Sequence, residues 1–233
     1  MLHRLPMLRF ALPLLLLLPA LALAATVADR GKPAMKTLVR CAEFDPAKMQ
    51  AEGWTAWSPR EEIAPKCSVD AKGGRNGGSA LRMQGAGIPG VYGLWKRQVA
   101  GVVPGRAYQG DAYFRTEGVP APHHSVSLLL SWLDAEGKPL RAPDCASVVG
   151  AEGAWTRLEQ NSIAPPGAKS AEIQLYFSWA PKGTVWWDDV ELSEVTTPRD
   201  RVVRVATIKH RPRAPTPPPP AWSSFARSRK ALG

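Results

Sequence analysis

The sequence predicts an all-β fold, a two-sheet antiparallel β-sandwich or jelly roll, over residues 37–196. Three observations predict it. Apolar residues there fall in short strand-like runs, Gly- and Pro-rich turns separate the runs, and no segment carries a long 3.6-residue apolar period. Roughly eight to ten short strands punctuated in this way suit two packed sheets better than any helical architecture.

TLVRCAEF, residues 37–44, is the first expected strand. KGGRNGG, 72–78, is a turn ahead of SALRMQG, and GIPG, 87–90, is another ahead of VYGLWKRQVAG. Pro104-Gly105 then turns the chain into a long strand, AYQGDAYFRTEG. His123 and His124, in PAPHHS, read as polar loop residues before the strand SVSLLLSWLD, which AEGKPL turns back into a return strand. AWTRLEQNSI, SAEIQLYFSW and GTVWWDDVELSEV complete the set, with APPGA, 164–168, as a further turn.

Both ends differ from this module. Arg4 and Arg9, an apolar run from Phe10 to Leu18 and the small-x-small site Ala22-Leu23-Ala24 form a secretory signal peptide over 1–24, and 25–36 reads as a flexible lead-in. Cleavage would leave no transmembrane segment and place the protein in the periplasm or outside the cell. The formal charge of +10 invites a nucleic-acid partner, but its location argues against one. Residues 25–197 hold 19 basic and 19 acidic side chains; the excess comes from Arg4, Arg9 and the nine basic residues of 198–233, which face only Asp200. Within that tail RVVRVATIKH, 201–210, alternates like a strand, and the Pro- and Arg-rich remainder cannot build a core. The three cysteines suit either small buried thiols or one disulfide, for which Cys41 and Cys67 are the first pair to test.

In GTVWWDDVEL, residues 183–192, period-two alternation places Trp186, Asp188, Val190 and Leu192 on one face and Val185, Trp187, Asp189 and Glu191 on the other. Asp188 then points with two aliphatics, and an inward carboxylate must be protonated, paired or bound to metal. Asp189 is expected to be solvated. The acidic pairs Glu61-Glu62 and Asp188-Asp189 are adjacent rather than facing, and the sequence holds no GxSxG, HExxH or phosphate-binding glycine loop, so a non-catalytic module is expected.

Taken in order, GGRNGGSALRM, VPGRAYQGDAYFRTEG, LSWLDAEGKPL, AWTRLEQNSIAPPGAKSAEIQLYF and GTVWWDDVEL resemble the carbohydrate-binding-module branch of the galactose-binding-like jelly rolls. The resemblance covers nearly all of 37–196. It implies a monomeric module for carbohydrate or a cell-surface glycan and a structural Ca2+ held by Glu43 and Asp188, the alternative for Asp188 being a basic partner or a turn cap. A Gly-rich loop such as 72–78 would supply carbonyl oxygens. It also implies that Trp54, Trp155 and Trp186 are core. Sugar rings stack on amphipathic aromatics, so Trp95, Tyr113, Trp132 and Trp179 are the candidate ligand-binding residues, with Arg97, Arg115 and Asp134 as polar neighbours. VRVATIKHRPR, directly after the module, resembles the opening strand of carbon-nitrogen hydrolases of the nitrilase superfamily. That implies the accessory or structural part of a module-plus-hydrolase protein, truncated or frame-altered after about Arg213.

Overall fold

The computed structural model describes residues 34–197; the signal-peptide segment, most of the lead-in and the whole 198–233 tail, with its strand-like 201–210, lie outside the described residues. Twelve strands form two antiparallel sheets: β1 (Ala34–Cys41), β2 (Trp54–Trp57), β3 (Lys66–Asp70), β4 (Ala80–Gln84), β5 (Tyr92–Ala100), β6 (Ala107–Glu117), β7 (Val126–Leu133), β8 (Asp144–Cys145), β9 (Ser147–Glu152), β10 (Trp155–Ile163), β11 (Ser170–Ser178) and β12 (Thr184–Val195). One sheet runs β3-β4-β12-β6-β10-β9 with β1 also on β12, and the other runs β2-β5-β11-β7-β8. His123 and His124 sit exposed on a single helical turn, α1 (Pro122–Ser125), before β7. No described helix is long and apolar enough to cross a membrane.

Strand β12 organises the larger sheet. Strand β6 pairs along one of its edges, while the other edge is shared, by β4 at residues 184–187 and by β1 at 190–195. Between the two halves the register with β6 slips. Asp188 pairs Tyr113 and Glu191 pairs Asp111, so one extra residue is inserted, and Asp189 takes a left-handed backbone with φ 46°. This is a β-bulge, and it shifts the phase of every side chain beyond it. Val185 and Trp187 enter the core before the bulge, Val190 and Leu192 after it, and Trp186 and Asp188 lie on the opposite face. The unbroken alternation expected from the sequence is therefore corrected at Asp188-Asp189.

Alternating residues of the two inner faces build the core. Trp132, Trp187, Tyr108 and Phe177 are its largest fully buried side chains, with Tyr108 against Trp132 and Phe114 against Trp187, each at 5.6 Å between ring centroids. Tilted aromatic pairs at this spacing contribute beyond their buried area. Trp132 also donates from Nε1 to Asp144 at 2.9 Å, and Arg141 donates to both oxygens of that carboxylate at 2.8 and 2.7 Å. The segment between β7 and β8 is thus tied to the core. Cys41, Cys67 and Cys145 are all free, so the Cys41–Cys67 pairing is not made. Cys41 instead accepts from Arg97 at 2.9 Å, and burial pushes the Cys67 thiol up to about 12.

Candidate functional site

Two constellations stand on opposite sheets. On the outer face of the larger sheet, the loop 73–79 folds over the β12 bulge and covers Asp188, which is only 3% exposed although it points away from the core. Asp188 Oδ2 accepts from the Arg75 backbone N–H and Oδ1 from that of Asp189, each at 2.7 Å. Glu43, just beyond β1, accepts from both the backbone N–H and the hydroxyl of Ser79 at 3.0 Å through Oε2. Burial pushes the Asp188 carboxyl above its ordinary range, and the charges of Asp189 and Glu43 push the same way. The Ser79 donors hold Glu43 below its own.

The same loop fixes Arg75. Its guanidinium pairs with Asp189 and Glu152 and lies 3.5 Å over the Tyr113 ring, so Asp189 is half-buried and paired rather than solvated. Beside it Arg115 stacks on Trp186 at 3.8 Å, and Trp186 donates to Asp70 at 2.8 Å. Trp155 and Trp186 are buried, as expected, but in this separate cluster. Arginines lie over its aromatic rings, Arg75 on Tyr113 and Arg115 on Trp186 and Trp155.

Two carboxylates on one glycine-rich loop, with Asp188 raised in part by the charge of Glu43, are hard oxygen donors of the kind calcium takes. A Cβ on Gly78 would stand 2.0 Å from Glu43 Oε1, and one on Gly74 2.9 Å from Asp188 Oδ2, so the loop's glycines leave room only for the carboxylates. Among the described residues no group of three or more His, Cys, Asp or Glu is gathered for a metal. Glu43 and Asp188 would therefore hold the ion together with main-chain oxygens, and the ion would supply charge neutralisation for the pair. Gly78→Ala is expected to swing the exposed Glu43 carboxylate off Ser79 and lower stability by about 1 kcal/mol. Thermal denaturation checks this, and a melting temperature unchanged from wild type would show that the loop yields freely.

The second constellation occupies the outer face of the five-stranded sheet. Register across β2, β5 and β11 places Trp57, Leu94 and Tyr176 in one row and Thr55, Lys96 and Gln174 in the next. Trp57, Lys96, Glu172, Gln174 and Tyr176 line a cleft of about 240 Å³. Glu172 lies 3.7 Å from the Lys96 ammonium and accepts from Gln174 Nε2 at 2.6 Å, whereas Gln174 Oε1 is buried without a partner. Tyr92 packs edge-on against Tyr176 at 5.6 Å.

A larger hollow of about 430 Å³ adjoins the cleft at the end of the sheet, and Trp57 belongs to both. Trp179 stands at its rim, 67% exposed and with φ 58°. A left-handed backbone costs a non-glycine residue about 1–2 kcal/mol. The Trp179 N–H, donated to Val91 at 2.9 Å, holds the turn in place. An exposed tryptophan kept in a strained conformation at the lip of a cavity has the character of a binding residue.

Of the four aromatics singled out in the sequence, Trp179 alone reaches this site. Trp95, 8% exposed, and Trp132, fully buried, are core residues whose rings pack inside the sandwich, and Tyr113 lies under Arg75 on the other sheet. Among the polar candidates, Arg97 turns inward toward Cys41 and the Trp54 ring, Arg115 covers Trp186, and Asp134 accepts from the backbone of Glu136 and Lys138 in a turn. Trp57, Tyr92 and Tyr176 were missed. A signal existed: WTAW between Gly53 and Ser58-Pro59 is a short strand with one tryptophan on each face, and AEIQLYF alternates aliphatic residues with Glu172, Gln174 and Tyr176.

This architecture is a two-sheet antiparallel β-sandwich. No protein-family model matches the sequence, and no curated protein matches it. Among solved structures, the family 22 carbohydrate-binding and glycoside hydrolase family 10 modules of xylanase 10B from Clostridium thermocellum, complexed with xylohexaose, align with TM-score 0.50 and 15% identity over 69% of this chain and 29% of that one. The family 22 xylan-binding domain from xylanase 10C of Paenibacillus barcinonensis aligns with TM-score 0.48 and 17% identity over 72% of this chain and 99% of that domain. The enzymatically active domain of tailspike protein 4 from bacteriophage CBA120 aligns with TM-score 0.49 and 14% identity over 66% of this chain and 22% of that one. The chain thus spans less than a third of the tailspike and xylanase chains, and identity this low speaks to fold rather than to ligand.

Proposed function

We propose that the protein is a secreted, monomeric, non-catalytic module that binds a glycan on the outer face of the five-stranded sheet. The observation that carries this is the cleft in which Trp57 and Tyr176 flank Lys96, Glu172 and Gln174, with Trp179 beyond. Pyranose rings present apolar faces to aromatics and hydroxyls to polar groups, and this arrangement meets both needs at neighbouring positions. Calcium at Glu43 and Asp188 belongs to the same reading as a structural ion that fixes the loop 73–79 on the opposite sheet, away from the ligand.

Trp57 lines both hollows and is 43% exposed, so its removal should cost binding without costing the fold. Trp57→Ala is expected to weaken glycan binding at least tenfold, about 1.4 kcal/mol or more, with melting nearly unchanged. Calorimetric titration against a panel of plant and bacterial polysaccharides tests this. Binding by wild type that survives both Trp57→Ala and Tyr176→Ala would place the glycan elsewhere, and no binding to any glycan would overturn the function.

A further inference from the structure

The larger hollow differs in kind from the cleft it adjoins. Trp57, Pro59, Pro89, Tyr92 and Trp179 give it an apolar and aromatic wall, and Arg60 is the only charged residue that lines it. Arg60 makes no ion pair with any described residue, although Glu61 and Glu62 follow it in the chain. Its wall is fixed in place: Ser58 Oγ lies 2.8 Å from the carbonyl oxygens of both Arg60 and Tyr92, tying the segment after β2 to the start of β5. In the cleft, by contrast, Lys96 faces Glu172 and the two charges offset each other. The ligand surface therefore has a charge-balanced middle and an end that is cationic and aromatic.

We propose that this hollow is a subsite for a uronic acid, so that the glycan bound is an acidic one, with the pyranose ring against the tryptophans and the carboxylate on Arg60. This rests on the glycan-binding reading above and names the class of glycan. A guanidinium presents a planar fork of donors that matches a carboxylate in two parallel hydrogen bonds, which neither a hydroxyl nor an acetamido group can accept in the same way. Aromatic walls exclude water from one side of that pair and strengthen it. A neutral sugar would fit the walls but leave Arg60 without a charged partner, and a free anion would leave the aromatics uncovered. A sugar carrying its own anionic group uses both features, and the planar carboxylate of a uronic acid matches the guanidinium fork in two parallel hydrogen bonds.

The test compares one polymer in two states, a glucuronoxylan and the same preparation after chemical reduction of its carboxylates to primary alcohols, each titrated against the full chain. Wild type is expected to bind the acidic form about five- to tenfold more tightly, a preference that shrinks as salt is raised. Arg60→Ala and Arg60→Gln, in an exposed segment, should bind both forms equally, at the affinity wild type shows for the reduced polymer. Arg60→Lys should retain only part of the preference, because it keeps the charge and loses the fork. Equal binding of both forms by wild type would overturn the uronate subsite while leaving the glycan reading intact. A preference that persists in Arg60→Ala would assign it to other basic residues, such as those of 198–233, and would equally overturn it. Failure to bind either form or any other glycan would remove the reading on which the proposal stands.

Discussion

Replacing Trp132 with alanine is expected to destabilise the protein by about 3–5 kcal/mol, a large part of the stability a domain of this size commands. The ring is fully buried in the main core and tilted against Tyr108. Its loss opens a cavity that neighbouring strands, tied by two ladders of hydrogen bonds, cannot close. It also removes the Nε1 donor from Asp144, the carboxylate that draws Arg141 and Ser162 together between β7, β8 and β10. The melting temperature should fall by roughly 10 °C or more. Glycan affinity measured below that transition should change little, which is the reverse of the pattern expected for Trp57→Ala. A Trp132→Ala variant that melts like wild type but loses ligand would place this ring on the binding face instead.

Asp188→Ala is the second large effect, a loss of about 2–4 kcal/mol, because two backbone donors at the β12 bulge would be left without their acceptor beneath the loop 73–79. The pH dependence has a definite sign. The folded-state pKa of Asp188 is raised above its unfolded value, so its protonation favours the folded state: this contribution is fully present below the unfolded pKa and is lost as pH rises through the folded pKa. Glu43, held low by Ser79, contributes oppositely, with stability present above its unfolded pKa and lost as pH falls through its folded pKa. In a chelator, Asp188→Asn should therefore abolish a stabilisation that wild type gains on acidification into the carboxylate range. Calcium would reverse the sense for wild type, since both carboxylates must be ionised to bind it: melting should rise with the ion near neutrality, and the gain should vanish in acid. Calorimetry with and without calcium checks both statements. No calcium-dependent rise near neutrality, or one equal in Asp188→Asn, would overturn the metal proposal.

The two clusters also explain why the acidic pair of β12 has two different partners. Asp188 takes the backbone of the loop and Asp189 takes the side chain of the same Arg75, so one loop residue reads both carboxylates. Both contacts depend on the bulge: without the inserted residue, the two aspartates would face opposite sides of the sheet in the ordinary way. The strand thus changes phase at the position where the loop docks, and the aliphatic residues after it still reach the core.

The sequence by itself determined the all-β class and most of the strands, because alternation and turn chemistry are local properties that survive without a partner strand; it singled out Asp188, but the loop 73–79, not the core, is what buries that carboxylate. It also put Trp179 at a strand end, after SAEIQLYFS and ahead of a Pro-Lys-Gly turn, and there the structure leaves it 67% exposed. The tertiary structure decided the rest. The phase of β12 depends on an inserted residue that shows only once β6 lies alongside, so Trp186 and Trp187 exchange the faces that alternation assigned them. The cleft likewise assembles from Trp57, Lys96 and Gln174 on three strands far apart in the chain, joined only by cross-strand register. Trp95 and Trp132 could not be told from surface tryptophans by their neighbours in sequence, since a strand's two faces become inner and outer only when the second sheet covers one of them.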